Sequence, residues 1–246
     1  MKVSVVIPAH NEEEALPHTL RAILAQDYPD FEVIVVDNAS TDKTAEVAKR
    51  FENRGGSAIK PSLKVVSESR KGLLWAREAG RRAAMGEIIA NIDADCLPEP
   101  DWISRGVSHF TDGRIVAVSG PYDYHDAAPM FRRSSLATQR YVYKPISKLL
   151  QLPFVRGGAV LIGGNNFIRA RVLEKTGGYN TALVFYGEDT DTAKRVSVHG
   201  KVLFNNRLTM KTSARRFKAE GTLKLMTVYW FHFFKHVFKR RKTAHH

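Results

Sequence analysis

Only one cysteine, Cys96, stands in 246 residues, which excludes an intrachain disulfide and a thiolate metal cluster and suits a reducing compartment. No stretch offers the roughly 20 clean apolar residues that a spanning helix requires. Met1 to Pro8 enters a strand-like segment without the apolar region and cleavage site of a signal peptide, so secretion is not expected. Acids are scarce at the C-terminal end: from Lys211 onward ten Lys or Arg face Glu220 alone, and most of the net charge of +13 sits there. No recognition motif accompanies that charge and the rest of the chain is only mildly basic, so nucleic acid is not the expected partner. Internal repeats and low-complexity tracts are absent too.

What is present is an alternation of strand and helix patterns. With 43% hydrophobic content, the chain can bury a substantial core as one α/β domain with an appendage. Lys2 to Pro8 and Phe31 to Asp37 read as continuous apolar strands of a buried parallel sheet. Asn11 with Glu14 gives an Asn-x-x-Glu helix start, and Asn38 to Asp42 a turn rich in capping residues that opens a second helix. Lys64 to Glu68, Gly72 to Met85 and Glu87 to Asp93 continue as strand, helix, strand. The second half is less regular: Val116 to Ser119 and Gly158 to Ile162 are strand-like, and Arg132 to Leu150 reads as a helix or a mobile loop. The sum is a mostly parallel sheet flanked by helices, in which ligands bind beyond the carboxyl ends of the strands.

Acids fall at those ends. Asp37 closes the second strand, and Asp93 and Asp95 close the fourth. Paired carboxylates there suit Mg²⁺ or Mn²⁺, which take hard oxygen ligands and leave the rest of their shell to water and substrate phosphates. A nucleoside diphosphate is the ligand this points to. Glu188, Asp189 and Asp191 crowd one helical turn after Gly187, more acids than capping requires.

The stretches Val5-Val-Ile-Pro-Ala-His-Asn-Glu12, Val35-Val-Asp-Asn-Ala-Ser-Thr-Asp42, Lys71-Gly-Leu-Leu-Trp-Ala-Arg77, Asp93-Ala-Asp95, Gly163-Gly-Asn165 and Gly187-Glu-Asp189 occur in that order. On these the chain resembles the family 2 glycosyltransferases over about residues 1 to 200. The resemblance implies the GT-A fold, a Rossmann-like sheet, and inverting transfer from a nucleoside-diphosphate sugar, UDP-linked by preference. It implies a GT-A domain over 1–220, with a nucleotide-sugar half (1–115) and an acceptor half (116–220). Residue by residue, it implies that Pro8, Ala9 and Glu12 line the nucleoside pocket, that Asp37 accepts a hydrogen bond from the base and that Lys71 lies near the base or diphosphate. Asp93 would sit near ribose and metal, and Asp95 would ligate the metal. Asp189, beside Glu188, would be the catalytic base, and Gly164 and Asn165 would face the acceptor. The processive members' Gln-x-x-Arg-Trp is replaced by Thr212 to Phe217, so single transfer is expected; Arg215 and Arg216 are candidates for the diphosphate or an acceptor phosphate.

The segment 221–246 is aromatic and basic. On a helix, Leu223, Met226, Trp230, Phe234 and Val237 form one stripe and Lys224, Lys235 and Lys239 another. That pattern predicts an interfacial amphipathic helix on an anionic membrane, with the enzyme cytoplasmic and peripheral on the inner face and a lipid-linked or envelope acceptor. The competing reading is a helix that packs on the domain. Against the transferase stand a nucleotidyltransferase, disfavoured by acids where its phosphate loop would lie (Ala9 to Glu14), and a basic nucleic-acid-binding protein.

Overall fold

The computed structural model describes residues 1–52, 61–152, 155, 158–183 and 186–238. The strands β1 (Val3–Ala9), β2 (Phe31–Asp37), β3 (Ser62–Ser67) and β4 (Ile88–Ile92) run parallel, Ala9 lying opposite Asp37 and Val6 opposite Asn91. Every residue of β1 and of β4 is buried, because helices cover both faces of the sheet. On one face lie α1 (Leu16–Leu24) and α2 (Thr44–Glu52); on the other lies α3 (Leu73–Ala83). Helix α1 buries Leu16, Thr19, Leu20 and Ile23, a stripe at helical spacing packed on Val3, Val5 and Ile7. Each of these aliphatic side chains stabilises the fold by roughly 1.5–3 kcal/mol.

The expected capping box does not form. Helix α1 begins at Leu16 with no side-chain cap, because Asn11 adopts a left-handed conformation (φ 55°) and its Oδ1 accepts the Thr41 amide at 2.8 Å. Asn11 thereby joins the loops after β1 and β2, where Ala39 (φ 53°) is left-handed as well. Two such residues at one sheet edge mark strain held by the surrounding structure.

The full sheet has the order β3-β2-β1-β4-β7-β5-β8. Here β5 is Ile115–Ser119, β7 Asn165–Arg169 and β8 Lys201–Phe204. Strand β7 is antiparallel to both neighbours, and the other pairings of this sheet are parallel. Gly158 to Ile162, expected as a strand, is irregular, and the strand starts after the Gly163-Gly164 turn. Phe167 and Ile168 then point into opposite cores, Phe167 against Trp102 of α4 (Trp102–Val107) and Ile168 against Val172 and Leu173 of α7 (Ala170–Lys175). Helix α8 (Glu188–Val196) completes that second face.

A small parallel sheet, β6 (Tyr122–Tyr124) with β9 (Met210–Thr212), stands beside the main one. Residues 129–150 are helical: α5 (Pro129–Thr138), a π turn (Gln139–Tyr143) and α6 (Lys144–Leu150). The buried Gln139 amide explains the π turn, accepting from the Tyr122 N–H at 2.8 Å and donating to the Tyr122 carbonyl at 2.9 Å. The side chain serves as a ladder partner for β6, and inserting it costs the helix its regular register.

After α9 (Arg215–Glu220), Gly221 (φ 87°) turns the chain into α10 (Thr222–Phe238). Much of the stripe expected to meet a membrane packs on the domain instead. Val237 is buried with Leu150, Val160 and Phe204, and Trp230 meets Tyr143 at 6.1 Å. Leu223 remains exposed. The Phe234 side chain and Lys239 to Lys242 lie outside the described residues, and among the described helices none is long and apolar enough to cross a membrane.

Candidate active site

Parallel topology brings the ends of β1, β2 and β4 to one edge. Asp37 ends β2 with its Oδ1 buried and without a hydrogen-bond partner among the described residues, an acceptor in want of a donor. Pro8 and Ala9 are buried beside it, and the Ala9 carbonyl accepts the Asn38 amide at 2.8 Å. The Asn38 side chain ties the next loop down, donating to the Arg70 carbonyl at 2.8 Å and accepting from Gly72 N–H at 2.8 Å. Lys71, between them, is exposed.

Beyond β4 the acids are laced by two arginines. Arg77 of α3 is buried and places Nη2 3.5 Å from Asp93 Oδ1 and Nη1 3.2 Å from Asp189 Oδ1. The Tyr122 hydroxyl donates to Asp93 Oδ2 at 2.7 Å, and the Gly163 amide to Asp189 Oδ2 at 2.9 Å. Arg215 spans the other carboxylates, pairing with Glu12 through its terminal nitrogens Nη1 and Nη2 and standing 3.3 Å from Asp95 Oδ2. Thr212 donates to Asp95 Oδ1 at 3.4 Å.

Crowding shifts these groups. Burial, then the charge of Asp93, raises the Asp95 carboxyl to about 6 against the opposing pull of Arg215. Burial and the neighbouring Glu188 raise Asp189 too, with Arg77 opposing. Arg77 is held firmly cationic: burial works against its charge, and Asp189 and Asp93 outweigh it. Cys96 is buried, and burial raises its thiol well above the usual range, so it is inert.

A cavity of about 460 Å³ opens on this cluster, lined by Arg77, Asp93, Asp95, Glu188, Asp189, Gly163, Gly164 and Arg216, with many aromatic side chains. The two glycines are there for close approach. A Cβ on Gly163 would lie 2.3 Å from Asp189 Oδ1, and one on Gly164 2.2 Å from the Asp93 carboxyl and the Tyr122 hydroxyl. Asn165, expected to face an acceptor, does not. It is fully buried, accepts from Trp102 Nε1 at 2.9 Å and donates to the Leu208 carbonyl at 2.7 Å. Its amide is spent on joining β7 to the chain around it.

The donors at Asp93 and Asp95 are all oxygens, and no cluster of three or more His, Cys, Asp or Glu able to hold a metal occurs among the described residues. Two carboxylates with room for water and phosphate fit Mg²⁺ or Mn²⁺ rather than a softer ion. Burial, and after it the charge of Asp93, raises Asp95, and a cation bound there would oppose that shift.

The mostly parallel sheet, its helical cover and the acids at its carboxyl edge define a protein of the GT-A class. The profile of Glycosyl transferase family 2 matches residues 4–177, and the chain belongs to that family. Glycosyltransferase AglE of Haloferax volcanii is 32% identical over 80% of this chain and 62% of its own length. The undecaprenyl-phosphate 4-deoxy-4-formamido-L-arabinose transferase of Pseudomonas aeruginosa is 34% identical over 51% of this chain and 37% of its own. The chain thus spans less than two thirds of these curated relatives. Among solved structures, the mannosyltransferase PcManGT from Pyrobaculum calidifontis, in complex with GDP-Man and Mn²⁺, superposes with TM-score 0.75 at 25% identity, covering 98% of this chain and 65% of that one. S. aureus TarS 1–349 in complex with UDP shares the fold, with TM-score 0.61 at 19% identity over 87% of this chain and 61% of that one.

Sequence reasoning passed over Arg77 and Tyr122 as site residues. Arg77 stands on the inward face of α3 with Leu74 and Gly80, and a charge at an apolar register is the signal that would have found it.

Proposed function

We propose that this protein is an inverting glycosyltransferase that moves one sugar per encounter from a nucleoside-diphosphate sugar to an acceptor nucleophile. The observation that carries the reading is the meeting of Asp93 and Asp189 on the buried Arg77 at the wall of the cavity. Residues from β4, α3 and α8 come together there, and nothing in the packing of the core requires two acids around one buried cation.

Asp37, with its unpartnered Oδ1, accepts a hydrogen bond from the base, and Pro8, Ala9 and Glu12 border the nucleoside. The acceptor enters the cavity over Gly164. As its oxygen attacks the anomeric carbon from the face opposite the leaving group, Asp189 takes the hydroxyl proton, the new C–O bond forms, and the bond to the diphosphate breaks with its electron pair leaving on oxygen. A carboxylate in this role contributes on the order of 10²–10⁴ in rate. Its raised pKa makes it a better proton acceptor than an ordinary carboxylate, while Arg77 and the Gly163 amide keep it ionised and aimed. A divalent cation, Mn²⁺ or Mg²⁺, held by Asp95 with Asp93, would supply charge neutralisation for the departing diphosphate. Arg215, Arg216 and Lys71 are the side chains proposed to share that charge.

The base is taken as uracil on the family resemblance, with GDP the next candidate because PcManGT was solved with GDP-Man. The acceptor is proposed to be lipid-linked or an envelope glycan, in keeping with relatives named as undecaprenyl-phosphate transferases. The segment 221–246 would hold the enzyme on the anionic inner face of the cell membrane; exposed Leu223 and Phe231 beside Lys224 and Lys235 support this. A thermal-shift screen of UDP-, GDP- and dTDP-sugars with and without Mn²⁺ tests the donor reading. Metal-dependent stabilisation by one nucleotide is expected, and indifference to all of them in both conditions would overturn it.

A further inference from the structure

Much of the cavity wall beyond the charged cluster is aromatic, with Tyr124, Phe131, Tyr143, Phe217, Trp230 and Phe233 among its lining. These rings pack edge to face on one another, Tyr124 on Phe217 at 5.0 Å and Trp230 on Phe233 at 5.9 Å, and so form an apolar surface rather than a single flat stacking platform. Two segments supply most of it: 129–150 and α10. The same two segments carry eight of the twelve exposed large apolar side chains among the described residues, including Met130, Tyr141 and Leu149 on the first and Leu223 and Phe231 on the second. Met226 and Tyr229 do both, lining the cavity while each remains 38% exposed, which places an opening of the cavity beside α10. Neither 129–152 nor 222–238 contains an acidic residue, whereas Arg133, Lys144, Lys148, Lys224 and Lys235 are all exposed there. On α10, successive 100° steps set Leu223, Lys224, Phe231 and Lys235 on one outward side.

We infer that the acceptor is an amphiphile whose apolar chain lies in the aromatic part of the cavity, and that it is drawn from an anionic bilayer on which the outer faces of α5, α6 and α10 rest. The inference rests on the transferase reading and gives it a substrate class. An exposed face that mixes apolar and basic side chains without one acid is complementary to a negatively charged lipid surface. A cavity of about 460 Å³ that opens beside α10, at Met226 and Tyr229 on the flank of that face, gives the chain a path to Asp189. The polar head, phosphate or sugar hydroxyl, would sit among Asp189, Gly164 and Arg216.

Calorimetric titration of the full chain with ethyl, octyl and dodecyl phosphate, and in parallel with ethyl, octyl and dodecyl glucoside, tests the chain and distinguishes the heads. In the favoured series, Kd is expected to fall roughly threefold for each added methylene until the cavity is full. Thr138→Trp, which puts a large ring into the cavity, is expected to abolish that dependence; if it does not fold, the wild-type series alone decides. No dependence on chain length in either series overturns the inference, and ethyl glucoside binding as well as dodecyl glucoside would make the rings a sugar platform. Sedimentation with 1:1 phosphatidylglycerol–phosphatidylcholine vesicles tests the surface. Binding to these and not to pure phosphatidylcholine is expected, reduced at least tenfold in the double variant Lys144→Glu with Phe231→Asp. Unchanged binding in that variant, or self-association through these helices in ultracentrifugation, sinks the bilayer. Nucleotide thermal shifts are run on the same samples: if they persist while alkyl ligands fail, only the acceptor inference falls, and if they fail too, the transferase reading goes with it.

Discussion

The ends of β1, β2 and β4 and the helices α5, α6 and α10 border one site but are built differently. The strands are buried along nearly their whole length and held by parallel ladders on either side of β1, so their carboxyl ends have little freedom. The helices carry exposed apolar side chains, a π turn kept by one glutamine, and contacts made mostly of rings. A nucleoside diphosphate offers much the same polar groups whatever sugar it bears, and a rigid edge suits it. Acceptors differ in shape, and a wall of packed rings can be resized by substitution without disturbing the sheet. On the proposed reading, the contrast makes donor and acceptor specificity separable, with Arg77, which bridges Asp93 and Asp189, the link between them.

The largest break between the two regions is expected from Asp189→Asn. Transfer should fall by on the order of 10²–10⁴ while nucleotide affinity stays within about twofold, since the amide keeps the shape and the Gly163 contact but cannot take a proton. Titration calorimetry with the nucleotide, beside single-turnover assays, reads both; full turnover in this variant removes Asp189 from the base role.

Arg77→Met attacks the link itself. It leaves Asp93 and Asp189 facing each other without their cation, and as both are about one third exposed the loss is set below that of a fully buried pair, at about 2 kcal/mol in urea unfolding. The pH profile adds a readout that mere destabilisation does not. Arg77 favours the charged form of Asp189, so removing it raises that carboxyl further and moves the acid limb of the activity profile to higher pH. An unmoved limb would show that Asp189 is not the titrating base.

Gly164→Ala is the next smaller effect. The added methyl collides with the Asp93 carboxyl and the Tyr122 hydroxyl, and the expected result is about a tenfold loss in kcat/KM, roughly 1.4 kcal/mol, with the melting temperature nearly kept. Wild-type kinetics in this variant would mean that the tight contact at Asp93 has no part in the reaction.

How far the two regions could be read from sequence follows from the same contrast. The parallel strands were plain because burial on both faces demands continuous apolar runs such as Val3 to Ile7. Strand β7 was misplaced because it begins with Asn165 and Asn166, residues of low strand propensity that are tolerated only where Trp102, Leu208 and Asn91 satisfy their amides. Nothing local announces such partners. Asp93 and Asp95 stood out because charges at the end of an apolar run are conspicuous, and Asp189 because three acids crowd one helical turn after Gly187, while Arg77 was hidden by lying within a helix already rich in arginine. The π turn at Gln139 was beyond reach, since it depends on β6 lying opposite. The same holds for α10, whose stripe was seen but whose partner, the surface around Leu150 and Phe204, was not.

The smallest prediction concerns the hinge between the regions. Asp126 accepts from the Ala214 amide at 2.6 Å, the Ser213 hydroxyl at 3.0 Å and Lys218 Nζ at 3.1 Å, fastening the loop after β6 to α9, the helix that carries Arg215. Burial works against the Asp126 charge, but these donors outweigh it and lower the carboxyl to about 2. A folded pKa below the unfolded one means that the contribution is whole above the unfolded value near 3.9 and is lost as pH falls through about 2. Asp126→Asn is therefore expected to lower unfolding stability by about 1 kcal/mol at pH 6, the group being partly exposed, and to converge on the wild type only below about pH 2. If α9 is fastened in this way, the variant also loosens Arg215 and weakens nucleotide binding a few-fold without touching the aromatic wall. Equal losses for nucleotide and alkyl ligand would instead mean that α9 belongs to both regions, and the division drawn between them would have to move.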